Sequence, residues 1–219
     1  MKLANLVFST NAKIDALRTI YFAGDGISGR KISLLGEINP RSCQLALQEL
    51  EDIGIIVKNG TRKRHNYSLN RNHPLYSQLL APIFEGERTL YRKIAEKITE
   101  LLQDVEGGDS LISIWSYEKR IKGGKHTGLI LLFGMEFERK NFSKVEKRVK
   151  KALMEMLNTP VEVTAMILEN LRDGSRLTKL TEGAILRVIF GEKPENIAKD
   201  LNIRRGPAYF ILSNSLSVS

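Results

Sequence analysis

The tightest constraint in this chain lies between Ile27 and Asn70, where a helical period gives way, at a glycine, to a β-hairpin period. Ile27 to Ile38 (ISGRKISLLGEI) has the spacing of a short helix that Ser28 can cap. Asn39-Pro40 then opens a second helix, with Asn39 as N-cap and Pro40 at the first helical position, where a missing N–H costs nothing. Cys43, Leu47, Leu50 and Ile53 fall on one stripe of that helix, while Arg41, Ser42, Gln44 and Gln48 face elsewhere. Gly54 suits the position after the helix, where φ is positive. Beyond it Ile55-Ile56-Val57 is β-branched, Asn59-Gly60 is the strongest two-residue hairpin signal, and His65 to Leu69 returns as the second strand.

Helix, turn, helix and then a hairpin carrying Lys58, Arg62, Lys63 and Arg64 is the pattern of a winged helix. Its second helix can enter a major groove, where Arg41 can address guanine, Gln44 or Gln48 adenine, and Ser42 either a base or a phosphate. The hairpin would add phosphate contacts that position the protein without reading sequence. Winged helices also dock proteins, and a charged hairpin can be no more than a solvated edge. From Lys58 through Arg71, however, there is no acidic residue. The stretch resembles the DNA-binding part of bacterial and archaeal repressors of the arsenic-repressor and multiple-antibiotic-resistance types, which covers about a third of the chain. That resemblance implies contact with double-stranded DNA, and a homodimer formed through the helix after the hairpin.

With 219 residues the chain has room for two small domains with proper cores. A net charge of +9 favours polyanionic partners but says nothing of the fold. The single cysteine, Cys43, excludes an internal disulfide and a cysteine-rich zinc site, and its place on the helix stripe makes it a core residue. His65 and His73 lack the neighbouring ligands a metal site needs. There is no signal-peptide layout and no apolar run long enough to span a bilayer, so the expected location is cytoplasmic and away from membranes.

Asn11 to Ala23 reads as the first firm helix, with Ile14, Leu17, Arg18, Ile20 and Tyr21 on its core side. His73 to Val105 reads as mostly helical, with Pro82 and Gly86 expected to kink or split it. Within it Leu90, Tyr91, Ile94, Ile98, Leu101 and Leu102 approach a heptad spacing, suited to packing on the rear of the chain or on a second copy. Gly107-Gly108-Asp109 marks the expected boundary. The organisation read is therefore a DNA-binding domain over 1–72, connecting and dimerisation helices over 73–106, and a rear domain over 107–219. Strands are expected at Leu111–Trp115, Gly128–Phe133 and Val161–Ile167, with a helix over Ser143–Leu157. Short helices are expected over Asn170–Leu180, Thr181–Phe190 and Pro194–Leu201, with the tail after Gly206-Pro207 unassigned. The fold class is α+β, ending in an α/β sandwich.

The rear domain carries a second resemblance. Ser113-Ile114-Trp115-Ser116-Tyr117, a spacer and Gly128 to Phe133 look like the core of the nucleotidyltransferase superfamily. Asn72-His73-Pro74-Leu75-Tyr76 is similar to the junction by which such domains follow a winged helix. Thr159 to Val163, the helix from Leu168 and Ala184 to Gly191 follow the family's layout. In that family a Gly-Ser pair holds nucleotide phosphates, and two aspartates one residue apart, with a third carboxylate on a later strand, hold two divalent metals. Here Ser116 is kept, Trp115 replaces the glycine, and the aspartate positions hold Gly128 and Ile130. Glu162 remains on the later strand, and neither a glycine nor an alkyl group can ligate a hard cation. The resemblance thus implies a domain without catalytic or metal-binding residues and without a cofactor, left to support oligomerisation or to bind a small-molecule or protein effector. A rival reading keeps activity through Glu162 with Asp109, and a third makes both domains protein-binding scaffolds. The spacer is basic (Lys119, Arg120, Lys122 and Lys125 around Gly123-Gly124) and reads either as a solvated loop or, with Ser116, as a phosphate-binding one. The helix carrying Lys144, Lys147, Arg148, Lys150 and Lys151 has the same two readings.

Overall fold

The computed structural model describes residues 3–61, 64–121, 124–172, 175–181, 184–204 and 206–218. It is mixed helix and sheet, in keeping with the α+β class. The chain forms two compact units, Met1–Arg88 and Thr89–Ser219, so the division falls inside a helix and not at 72 or 106. No helix among the described residues is long and apolar enough to cross a membrane.

The first unit runs α1 (Leu3–Phe8), α2 (Asn11–Ala23), β1 (Ile27–Ser28), α3 (Gly29–Leu35), α4 (Pro40–Asp52), β2 (Ile56–Thr61) and β3 (Arg64–Leu69). The caps are those the sequence supplies: Thr10, Ser28 and Asn39 each accept a backbone N–H in the first turn of α2, α3 and α4. Ala16, Leu17 and Ile20 of α2 meet Ile32 and Leu35 of α3 and Cys43, Ala46, Leu47 and Leu50 of α4 in one buried core. Lys13 is also buried, its ammonium held by Glu49 of α4 at 2.6 Å and by the Leu6 carbonyl at 3.1 Å.

The three strands form an antiparallel sheet of order β1-β3-β2. Its register corrects the expected turn: Asn59 and Gly60 are strand residues opposite Asn66 and His65, and the ladder closes at Thr61 and Arg64. A turn at Asn59-Gly60 would set Ile56 opposite Lys63, whereas the observed register pairs Ile56 with Leu69, both buried. Burial of that apolar pair outweighs the local turn preference.

A π-helical turn, Tyr76–Leu80, leads into α5 (Ala81–Leu102). The Ala81 N–H reaches the Tyr76 carbonyl five residues back, and this wider turn spares the Pro82 ring the clash it would meet in a regular helix. The helix is therefore not split at Gly86.

The second unit runs β4 (Leu111–Ile121), β5 (Gly124–Phe133), α6 (Phe142–Leu157), β6 (Glu162–Ile167), α7 (Glu169–Arg172), α8 (Ser175–Thr181), β7 (Arg187–Gly191), α9 (Pro194–Asp200), α10 (Gly206–Ser213) and β8 (Leu216–Ser217). The sheet has order β6-β5-β4-β7-β8, with β5–β6 and β7–β8 parallel and the rest antiparallel. On one face Trp115, Tyr117, Ile130, Leu132, Met166 and Val188 form a core with Leu171, Leu177, Ile197 and Leu212 from the helices. Helix α6 lies along β6 with Val145, Val149 and Leu153 buried.

Three expectations are corrected here. The apolar run within Thr181–Phe190 is not helical: its end forms β7, inside the sheet, where both faces demand apolar residues. The described residues of the basic spacer extend the paired strands β4 and β5, with Lys119 opposite His126 and Arg120 opposite Lys125, while residues 122–123 lie outside the described residues. The tail supplies α10 and an edge strand.

Candidate nucleic-acid interface

Helix α4 is two-sided. Cys43, Ala46, Leu47 and Leu50 are buried, which obliges the positions between them to point outward. Arg41, Ser42, Gln44 and Gln48 are all exposed, together with Leu45. Asn39 fixes the start of the helix by accepting the Arg41 N–H at 3.0 Å. Gln48 donates to Asp52 at 2.9 Å, an exposed contact one turn along the helix.

The first turns of α3 and α4 meet. The Cys43 thiol lies 3.8 Å from the Gly29 carbonyl, and Gly29 is close to Leu47 and Tyr67. Two exposed cations, Arg30 and Lys31, therefore stand on the turn beside the one that carries Arg41 and Ser42. Sequence reasoning passed over them, although a basic pair two residues after a capping serine at the mouth of a helix–turn–helix was the available signal.

Of the hairpin cations, Lys58 is half-buried and lies 3.8 Å from Glu51, so its charge is shared with α4. Arg64 begins β3, opposite Thr61. Arg62 and Lys63 lie outside the described residues.

Burial pushes the Cys43 thiol up to about 11, which suits a core residue and not a thiolate. Tyr67 is also raised, first by burial and then by Glu51 and Cys43. At the base of the hairpin, a cavity of about 190 Å³ is lined by Tyr21, Asp25, Arg71, Tyr76, Glu85 and Arg88, among others. Its charges pair off, Arg71 with Asp25 at 3.2 Å and Arg88 with Glu85 at 2.9 Å. Tyr21 donates to Glu85, and burial followed by that carboxylate raises its phenol to about 12.

The second unit shows what occupies the positions of the missing carboxylates. Gly128 lies opposite Tyr117, and a Cβ on it would run into the Tyr117 ring. The Tyr117 hydroxyl reaches Glu162 at 3.4 Å, and the same carboxylate oxygen takes Lys119 at 3.3 Å and His126 at 3.5 Å. Ile130 and Trp115 are fully buried in the core, with the indole N–H 3.4 Å from the Glu192 carbonyl. Ser116 sits inside the sheet between Leu129 and Arg187 and is 6% exposed. Lys119 is bound to Glu162, the Arg120 and Lys125 backbones are paired strand residues, and Lys122 lies outside the described residues.

Asp109 and Glu162 are not brought together. Glu162 starts β6 beside Gly128 and Tyr117, whereas Asp109 precedes Leu111 at the other end of β4. Six strand residues separate those ends, about 20 Å at the usual rise. Among the described residues no three His, Cys, Asp or Glu side chains are grouped to hold a metal ion. No protein-family model matches the chain, and no curated protein sequence is significantly similar to it.

Proposed function

We propose that this chain is a regulator that binds double-stranded DNA through a winged helix in its first unit. In this reading the second unit is a nucleotidyltransferase-like domain without catalytic power. The observation that carries the reading is the exposed side of α4. Arg41, Ser42, Gln44 and Gln48 are the residue types that read base edges, and they sit together on a capped helix whose other side is committed to the core. Arg30 and Lys31, exposed beside that helix, and the cations that the sequence supplies at Lys58, Arg62, Lys63 and Arg64 are assigned phosphate contacts in this reading. A homodimer in this reading rests on the resemblance to repressors that pair through the helix after the hairpin, with Leu90 of α5 41% exposed. Two-fold symmetry then calls for two half-sites about one DNA turn apart.

Loss of catalysis is supported by Tyr117, whose ring fills the space a carboxylate at position 128 would need. The distance between Asp109 and Glu162 argues against the active alternative. Incubation with labelled nucleotides and magnesium or manganese is expected to give no incorporation; incorporation would restore that alternative.

Selection of bound duplexes from a random pool, followed by footprinting, tests the DNA reading. The expected outcome is a palindromic enriched site. Arg62, Lys63 and Arg64 replaced together by alanine should weaken binding to every duplex, flattening the salt dependence by about one unit of slope per lost phosphate contact. Unchanged affinity and slope in that variant would remove the hairpin from the mechanism.

A further inference from the structure

We infer that the outer face of α6, in the second unit, is a separate surface for the sugar–phosphate backbone of nucleic acid. It goes beyond the base-reading role given to α4 and uses different residues.

Helix α6 runs for 16 residues, about 24 Å, and its orientation is set by the core: Val145, Val149 and Leu153 are buried. The opposite side therefore faces solvent, and it holds Lys144, Lys147, Lys150 and Lys151, all exposed. Arg148 lies at the edge of this face, tied to Asp104 at 3.3 Å.

Two glutamates share the helix, and neither neutralises the group. Glu146 is turned to the sheet, where its carboxylate accepts the Ala165 N–H of edge strand β6 at 2.9 Å. Glu155 lies 4.0 Å from Lys151, at the limit of an ion pair. Lys144, Lys147 and Lys150 have no ion pair or side-chain hydrogen bond among the described residues.

A solvated helix face gains stability when opposite charges alternate at three- and four-residue spacing. Here those spacings join like charges: Lys144 with Lys147 and Arg148, and Lys147 with Lys150 and Lys151. Lys144 also stands in the first turn, where the helix dipole disfavours a cation. The arrangement destabilises the free helix and is relieved when anions lie along it. Lys144, Lys147 and Lys151 span about 10 Å of one line, which suits successive phosphates. A lipid surface fits less well. Binding there needs apolar side chains beside the cations, and Val145, Val149 and Leu153 of α6 are already buried, leaving Met154 and Met156 as its exposed large apolar residues.

The test uses the full chain and a fluorescent duplex of arbitrary sequence, with anisotropy followed across a salt series. The variant Lys144→Glu/Lys147→Glu/Lys151→Glu is expected to keep its Tm, to bind at least tenfold more weakly at low salt, and to lose about three units from the salt slope. Lys144→Gln/Lys147→Gln/Lys151→Gln should move both readouts the same way by less, and serves if the reversed charges disturb folding. Arg41→Ala/Gln44→Ala is run alongside. Unchanged affinity and slope in the lysine variants overturns this surface, and a loss in the α4 variant alone leaves the α4 reading standing. A loss in the lysine variants with little change in the α4 variant supports this surface, and is what a base-reading role for α4 predicts on a duplex of arbitrary sequence. Vesicles of phosphatidylserine and phosphatidylcholine form the last arm. Lysine-dependent binding to vesicles, with duplex binding unaffected by the substitutions, overturns the assignment to nucleic acid.

Discussion

At residue scale the second unit turns on Tyr117. Its ring occupies the space above Gly128, and its hydroxyl joins Lys119 and His126 around Glu162. A methyl group at 128 has nowhere to go, so Gly128→Ala is expected to lower stability by about 1–3 kcal/mol, the usual range for overpacking. Tyr117→Ala in the same chain should make that added methyl tolerable, so that the double variant loses less than the two single losses combined. Additive losses, measured by urea unfolding, would mean that Tyr117 does not fill the site. Three acids of the first unit, buried Cys43 and the half-buried Tyr21 and Tyr67, give a second residue-scale prediction. Cys43, Tyr21 and Tyr67 all hold their protons more tightly when folded. Above about pH 9 the unfolded chain releases thiol and phenol protons that the folded chain keeps, so unfolding becomes easier as pH rises. Urea midpoints should be level from pH 7 to 8.5 and fall between pH 9 and 11, less steeply in Cys43→Ala. A midpoint that holds or rises over that range contradicts the burial of these groups.

At the scale of elements, local chemistry carries the helices of the first unit. Ser28→Ala and Asn39→Ala should each destabilise by about 0.5–2 kcal/mol through loss of a cap, and neither should abolish folding. A change in Tm below 1 °C in both would mean that the caps contribute nothing. These helices were legible because a cap, a proline at N1, a 3.6-residue stripe and Gly54 with φ 74° all act within a few residues. What was not legible depends on partners far along the chain. Asn59-Gly60 reads as a turn until Ile56 is known to pair with Leu69. Residues 184–190 form an apolar run that fits a helix or a buried strand equally well, and only the places of β4 and β8 on either side decide for β7. The ion pair of buried Lys13 with Glu49 joins two helices, and nothing near Lys13 in the sequence announces it. The α4 face was read residue by residue. The strands on either side of Gly123-Gly124 run further than their sequence suggests, because a basic glycine-containing stretch looks the same whether it loops or continues two strands.

At the scale of the whole molecule, two units share a net charge of +9, and each carries a basic surface of its own. In the proposed reading, affinity for a polyanion comes from both units and sequence preference from α4 alone. Arg41→Ala should therefore weaken binding to an enriched site by about tenfold or more, within the range of one bidentate base contact, and change Tm little because the side chain is exposed. The most direct measurement sets the full chain and Arg41→Ala/Gln44→Ala against the enriched duplex and a scrambled duplex of the same composition, at several salt concentrations. The account predicts that the intact chain prefers the enriched duplex at every salt concentration and that the double substitution erases this preference while leaving most of the scrambled-duplex affinity. Retained preference in the variant, or no binding of any duplex at low salt by the intact chain, would contradict it.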